Sequence, residues 1–360
     1  MKLRNRFSFV ALLLFLALVP IAMASSTWYV NGRMGNDANA CTSSKLPCRT
    51  IGHAIGLAAS GDSISIAAAT YTENLFINVN LKLTGANAAT TIIDGGASAR
   101  VISIENTAIS LTLSKLTIRN GIAAGGGGIL NWGTLTITNC AITGNYASSS
   151  YSATGGGIYN SGTLTINNST LSGNGVSTNF AYGGGIYNSG TVNLNNSTLS
   201  GNTASGFTGG GGGGIYNSAV VTVNSSTLGG NSGSPSGGGI YNGGTATIQN
   251  SIIANSSSGG NCSGTMTSNS YNLSTDGTCN FTNTGDLNNT NPNLGPLQKN
   301  GGQTLTMALP SGSLAIDAGN PNGCTDNLGH LLKTDQRGQP RHDKEDTIGC
   351  DMGAYESQTD

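Results

Sequence analysis

Five copies of one unit constrain this chain more than anything else in it. Each copy is anchored on an isoleucine that follows a run of glycines: Ile129, Ile158, Ile186, Ile215 and Ile240, at steps of 29, 28, 29 and 25 residues. Eight residues after each anchor stands a second aliphatic (Ile137, Ile166, Leu194, Val223, Ile248), and five further on a third (Ile142, Leu171, Leu199, Leu228, Ile253). Those two inner spacings never vary; all length variation falls between the third aliphatic and the next glycine run. Each unit reads as three short strands parted by turns, too small to bury an apolar face alone. Stacked as coils about 4.8 Å apart, like residues pile over like residues and form one continuous core. Helical repeats are excluded, because the segments are β-branched, Thr-rich and broken by glycine, with no 3.6-residue period.

The same stacking accounts for the asparagines. Asn131, Asn160, Asn188, Asn217 and Asn242 recur at one position of the unit, and Asn145, Asn174, Asn202 and Asn231 at another. Stacked amides can hydrogen-bond along the axis as a ladder, and asparagine tolerates the left-handed backbone of a tight corner, so a structural role is read here in preference to ligand binding. Composition supports a repeat architecture: glycine supplies 56 of 360 residues and charged residues only 9%, while 37% hydrophobics argue against disorder. The glycines cluster and do not fall at every third position, which excludes collagen. The Gly209–Gly214 run lacks the Lys-Ser/Thr of a phosphate loop and is read as corner glycine.

Upstream, Ile64-Ser65-Ile66, Leu81-Lys82-Leu83, Val101-Ile102-Ser103-Ile104 and Leu116-Thr117-Ile118 read as strands of less regular coils. Residues 50–59, with Ile51, Ala54, Ile55 and Ala58, fit a short amphipathic helix that covers the open edge of the first coil. The fold expected is all-β: a right-handed parallel β-helix of three-strand coils of about 25–29 residues, with an N-terminal capping helix and an irregular C-terminal cap. The divisions are a signal peptide (1–24), an N-terminal strand and helix (25–61), the β-helix (62–296) and the cap (297–360).

Lys2, Arg4 and Arg6 precede an apolar run from Phe7 to Val19, and Ala22-Met23-Ala24 has the small-x-small pattern of signal-peptidase cleavage. Loss of that leader takes the formal charge from −1 to −4, and no basic stripe recruits nucleic acid. The mature chain is expected to be exported, with no transmembrane segment. In that setting local disulfides are plausible: Cys41 with Cys48, Cys262 with Cys279, Cys324 with Cys350. Cys140 takes a repeat position otherwise held by serine and reads as a small buried thiol.

From Asn120 through Thr275 there is no Asp, Glu, Lys, Arg or His. No acid–base pair, hard-metal cage or carboxylate dyad can be built from side chains of that stretch. Charge is confined to the early coils, with Asp62, Glu73, Asp94, Arg100, Glu105, Lys115 and Arg119, and to the tail. Asp94, Arg100, Glu105, Lys115 and Arg119 are the candidates should the chain be an enzyme. In the tail, Asp343, Glu345 and Asp346 are weak candidates for calcium, while alternating signs with Arg337 and Arg341 fit salt-bridged capping better. No other cofactor is expected. Exposed loops at 146–154, 175–182 and 203–208 carry Tyr146, Tyr151, Phe180, Tyr182 and Phe207; aromatics in an uncharged setting suit stacking on sugars, which makes glycans or a cell-surface partner the expected ligands.

Trp28-Tyr29-Val30-Asn31, Pro47-Cys48-Arg49-Thr50-Ile51, Gly61-Asp62-Ser63-Ile64 and Tyr71-Thr72-Glu73-Asn74-Leu75 resemble the opening coils of the pectate-lyase-like β-helix superfamily. The Gly-Gly-Gly-Ile units with Leu171-Ser172-Gly173-Asn174 are similar to the repeats of chlamydial polymorphic outer-membrane proteins. Ala315-Ile316-Asp317-Ala318-Gly319-Asn320, Asp335-Gln336-Arg337-Gly338-Gln339-Pro340-Arg341 and Asp351-Met352-Gly353-Ala354-Tyr355-Glu356 resemble the choice-of-anchor Q domain of bacterial surface proteins. The resemblance gives Asp62 and Glu73 structural roles and implies a secreted or surface protein. It also implies the alternative, since many such β-helices are polysaccharide lyases or hydrolases. The reading preferred on the residues is a non-enzymatic exported rod that presents variable loops for adhesion or glycan binding.

Overall fold

The computed structural model describes residues 25–341 and 349–359; the expected signal peptide and the calcium candidates Asp343, Glu345 and Asp346 lie outside them. Alternating pentapeptides such as Thr134–Thr138 and Thr163–Asn167 turn every second side chain inward, and these segments stack as strands of a right-handed parallel β-helix. Its first sheet has ten strands, from Thr27–Val30 to Thr267–Ser268, the second nine, from Ala69–Thr72 to Leu273–Ser274, and the third eight, from Leu75–Phe76 to Cys262–Ser263. All three aliphatic series stand in register, for example Ile129 on Ile158 on Ile186 and Ile142 on Leu171 on Leu199. Every member of those series is fully buried.

A fourth, narrower sheet forms a side lobe. The chain leaves the coil after Asn145, Asn174 and Asn202 and rejoins it at the glycine triplets, running through strands such as Gly175–Tyr182 and Thr203–Gly211. A Cβ at Gly156 would lie 2.3 Å from the carbonyl oxygen of Gly175, so the point where the lobe closes admits only glycine. Inside, Ala147, Ala153, Val176, Ala181 and Ala204 form a small core of their own.

Both asparagine ladders are present. Asn131, Asn160, Asn188, Asn217 and Asn242 are linked amide to carbonyl at 2.7–2.8 Å, and Asn145, Asn174, Asn202 and Asn231 at 2.9–3.0 Å. The left-handed corner, however, belongs to neither ladder. It falls between the first and second sheets, on Lys115, Asn139, Asn168, Asn196, Ser225 and Asn250, with φ of 45–57°. A third ladder fills that corner: the backbone N–H of Cys140 donates to Ser169 Oγ, Ser169 to Ser197 and Ser197 to Ser226, each at 3.1 Å. Cys140 is buried there, its thiol pushed up to about 12 by desolvation.

The expected helix is Ile51–Leu57, α1, capped by Thr50 and turned inward through Ile51, Ala54 and Ile55. Glu73 accepts the Ile51 and Gly52 N–H groups at 2.9 and 2.7 Å, while Asp62 accepts from Ser26, the Trp28 indole and Ala59. Both acids therefore hold the first coil together. The three disulfides pair as expected, Cys41–Cys48, Cys262–Cys279 and Cys324–Cys350.

Met266, Cys279 and Phe281 close the last coil against the main core. The irregular tail beyond them runs back along the outer face of the second sheet. Thr198 donates to Gln336 Oε1 at 2.6 Å, Gln336 donates to Thr170 at 2.9 Å, and Arg341 donates to Asn196 at 2.6 Å. A second core of Ile252, Ala254, Leu273, Leu309, Ala315 and Met352 seals this seam. The middle coils are uncharged in their own sequence, yet they are not without ionisable neighbours, because the tail lays Asp335, Arg337, Arg341 and Glu356 against them. Arg337 pairs with Asp335 at 2.7 Å and Arg341 with Glu356 at 3.1 Å, all four side chains at most 6% exposed. Among the described residues no helix is long and apolar enough to cross a membrane.

Candidate binding surface

The glycine-flanked triplets Ile-Tyr-Asn place isoleucine inward and asparagine at the turn, so the tyrosine between them must face out. Tyr159, Tyr187, Tyr216 and Tyr241 accordingly stack in register on the third sheet, half-buried, with ring centroids 5.1, 5.5 and 4.7 Å apart and planes within 23°. Neighbouring rings cover one another's faces, which leaves ring edges on the outside of the sheet. Burial first, then the adjacent rings, pushes the Tyr216 phenol up to about 12; burial also raises that of Tyr187, against a hydrogen bond with Ser218. The sequence reading used the isoleucine and asparagine of each triplet and passed over the tyrosine; period-two alternation was the signal that would have found it.

The five loop aromatics do not form one cluster. Tyr151 and Phe180 meet at 5.1 Å on the lobe, and Phe180 lies over Gly209, where a Cβ would come within 3.1 Å of its ring. Tyr146 packs in the same way on Gly175. Tyr182 turns edge-on to Tyr187 and Tyr216, at 6.5 and 4.9 Å, and so joins the lobe to the tyrosine row. Phe207 stands 80% exposed at the lobe edge. Around these rings no residue from 120 to 275 carries a charge.

The early charged residues separate into two pairs. Arg119 donates to Asp94 at 2.7 Å on the second sheet; burial alone would raise Asp94, but the Gly96 N–H, Arg119 and Asn120 hold it below its ordinary value. Arg100 faces Glu105 at 3.6 Å beside the third sheet. No hydrogen bond or ion pair joins these pairs among the described residues. Lys115 stands at the left-handed corner, apart from both. The five enzyme candidates are thus not assembled into one constellation. Cys41, Cys48 and His53 come within 4.8 Å of one another, but the cysteines are joined as a disulfide and offer no thiolates.

No known family matches the chain, and no curated protein does. Among solved structures, a pectin methylesterase from Aspergillus niger, in its deglycosylated form, is 14% identical over 70% of this chain and 84% of its own, with a TM-score of 0.40. The pectate lyase Pel9A is 15% identical over 93% of this chain and 97% of its own, with a TM-score of 0.44. At this level of identity and overlap neither activity carries over to this chain.

Proposed function

We propose that this is an exported, non-enzymatic β-helix that binds an extended neutral polysaccharide along the tyrosine row and the aromatic lobe. The observation that carries the reading is the repetition of one outward phenol on four successive coils in surroundings without charge. A solenoid shows the same group at every coil, about 4.8 Å apart. A polymer whose hydroxyls recur at a comparable step meets an equivalent partner on each rung. Aromatic edges and neutral hydroxyls favour a neutral sugar over an anion, which would find no cation along the row. Three disulfides fit an oxidising, extracellular setting. The tail resembling a choice-of-anchor domain adds surface retention to the proposal.

A glycan array probed with the purified chain tests this. Binding to neutral polysaccharides is expected, lost when Tyr187 and Tyr216 are changed to alanine and weakened when Tyr151 and Phe180 are. Unchanged binding by both double variants would remove the reading.

One observation favours a second reading, a polysaccharide-degrading enzyme: a groove of about 430 Å³ beside the third sheet holds Arg100 and Glu105. Incubation with pectic polysaccharides, with and without calcium, separates the two. The binding reading expects no cleavage; unsaturated products that vanish on changing Asp94, Arg100 or Arg119 would replace it.

A further inference from the structure

The outward column that carries the tyrosines continues toward the N-terminal end. Tyr159 pairs in register with Leu130, Leu130 with Ser103 and Ser103 with Phe76. The Arg100–Glu105 groove therefore lies at the head of the tyrosine row, with Ser103 two coils, roughly 10 Å, and Phe76 three coils, roughly 14 Å, from Tyr159. Phe76 stands 56% exposed on its wall. Arg100 is fixed by the carbonyls of Gly125 and Gly126 at 2.9 and 3.1 Å, and it donates to Ser103 Oγ at 3.2 Å. Ser103 in turn donates to Glu105 Oε1, while Glu105 Oε2 takes no hydrogen bond from the described residues.

We infer that this groove is a subsite for one residue of a neutral glycan, gripped through two adjacent hydroxyls. Such a diol donates to Glu105 Oε2 and accepts from a guanidinium N–H of Arg100, a pairing that uses one acceptor and one donor held side by side. The apolar face of the sugar ring lies on Phe76. Because Arg100 is already balanced by Glu105, a uronate carboxylate gains no net attraction and meets the Glu105 charge; the site selects hydroxyls. Rooted beside the tyrosine row, it sets where an extended chain begins. This rests on the proposed glycan binding and adds to it the position and chemistry of one subsite.

Titration calorimetry with neutral β-linked hexasaccharides (cello-, xylo-, manno- and laminarihexaose), and with trigalacturonate as the acidic comparison, tests the subsite. Phe76→Ala and Glu105→Gln should each weaken binding of the preferred hexasaccharide about tenfold. Both residues are at the surface, so an unchanged melting temperature confirms the fold. If Tyr187→Ala abolishes binding while Phe76→Ala and Glu105→Gln bind as wild type, the subsite is overturned and the tyrosine row stands. If no hexasaccharide binds, both fall. Tighter binding of trigalacturonate than of any neutral oligomer overturns the choice of sugar class.

Discussion

Asn188 accepts a hydrogen from Asn160 at 2.8 Å and donates one to Asn217 at 2.7 Å, fully shut off from water. An amide can do both at once in a column and so link like side chain to like, since it carries donor and acceptor on the same short stem. Breaking one rung removes several bonds at once: Asn188→Leu loses the links to Asn160, Asn217, the Gly190 and Val220 carbonyls and the Gly190 N–H, while Asn160 keeps the Gly162 and Thr191 carbonyls and Asn217 keeps the Ala219 N–H. Each lost hydrogen bond is worth about 0.5–1.5 kcal/mol net, so the loss should be about 2–5 kcal/mol in urea unfolding, against less than about 0.5 for the exposed Ser189→Ala. Leu171, stacked between Ile142 and Leu199, is the apolar counterpart. Leu171→Ala should cost about 3 kcal/mol, because neighbouring coils cannot collapse into the gap without losing register.

At the scale of elements, strands and their register were legible because the inner spacings are constant and each strand alternates. Isoleucine and asparagine in every Ile-Tyr-Asn triplet declared themselves by repetition. What was hidden had a physical reason. Which asparagine turns left-handed depends on backbone geometry that Asn131, Asn145 and Asn139 share equally in sequence. The tail's place on the second sheet was illegible because it is made by single long-range bonds, such as Thr198 to Gln336, with no periodicity to announce them. The candidate site was legible only in part: the aromatics from Tyr146 to Phe207 stood out in an uncharged stretch, but their division between the lobe and the tyrosine row follows from strand pairing, and Phe76 gave no sign of facing outward beside Arg100.

That tail is pH-sensitive in a defined direction. Burial, aided by Asp351 and Asp335, pushes the Glu356 carboxyl up to about 8 from its ordinary 4.5, in spite of Arg341. The folded tail therefore holds the proton more tightly than the unfolded one, so its stabilisation is complete below about pH 4.5 and is lost as pH rises toward 8. Limited proteolysis of the tail should be slower at pH 5.5 than at about pH 8. Glu356→Gln, which cannot ionise, should flatten that dependence; an unchanged slope would place its cause elsewhere. The first coil responds oppositely. Burial would raise Asp62, but its three hydrogen bonds hold it below its ordinary 3.8, so the N-terminal strand and α1 should loosen as pH falls below that value.

For the whole molecule, one dimension governs everything. Core, ladders and outward rings are each a single residue repeated along the axis, and the surface offered to a ligand is periodic because the core is. Charge sits at the first coils and on the docked tail, so the exposed middle of the third sheet is neutral over several coils. The most direct test of this account is a register-specific cross-link. Thr165 and Asn193, on adjacent strands of the first sheet and both outward-facing, stand opposite one another although 28 residues apart. Cysteines at both positions should form a new intramolecular disulfide under mild oxidation, seen by peptide mass mapping, while cysteines at Thr165 and Val192, which point to opposite sides of the sheet, should not. A bridge from Thr165 to Val192, or none from Thr165 to Asn193, would contradict the stacking from which the binding surface is built.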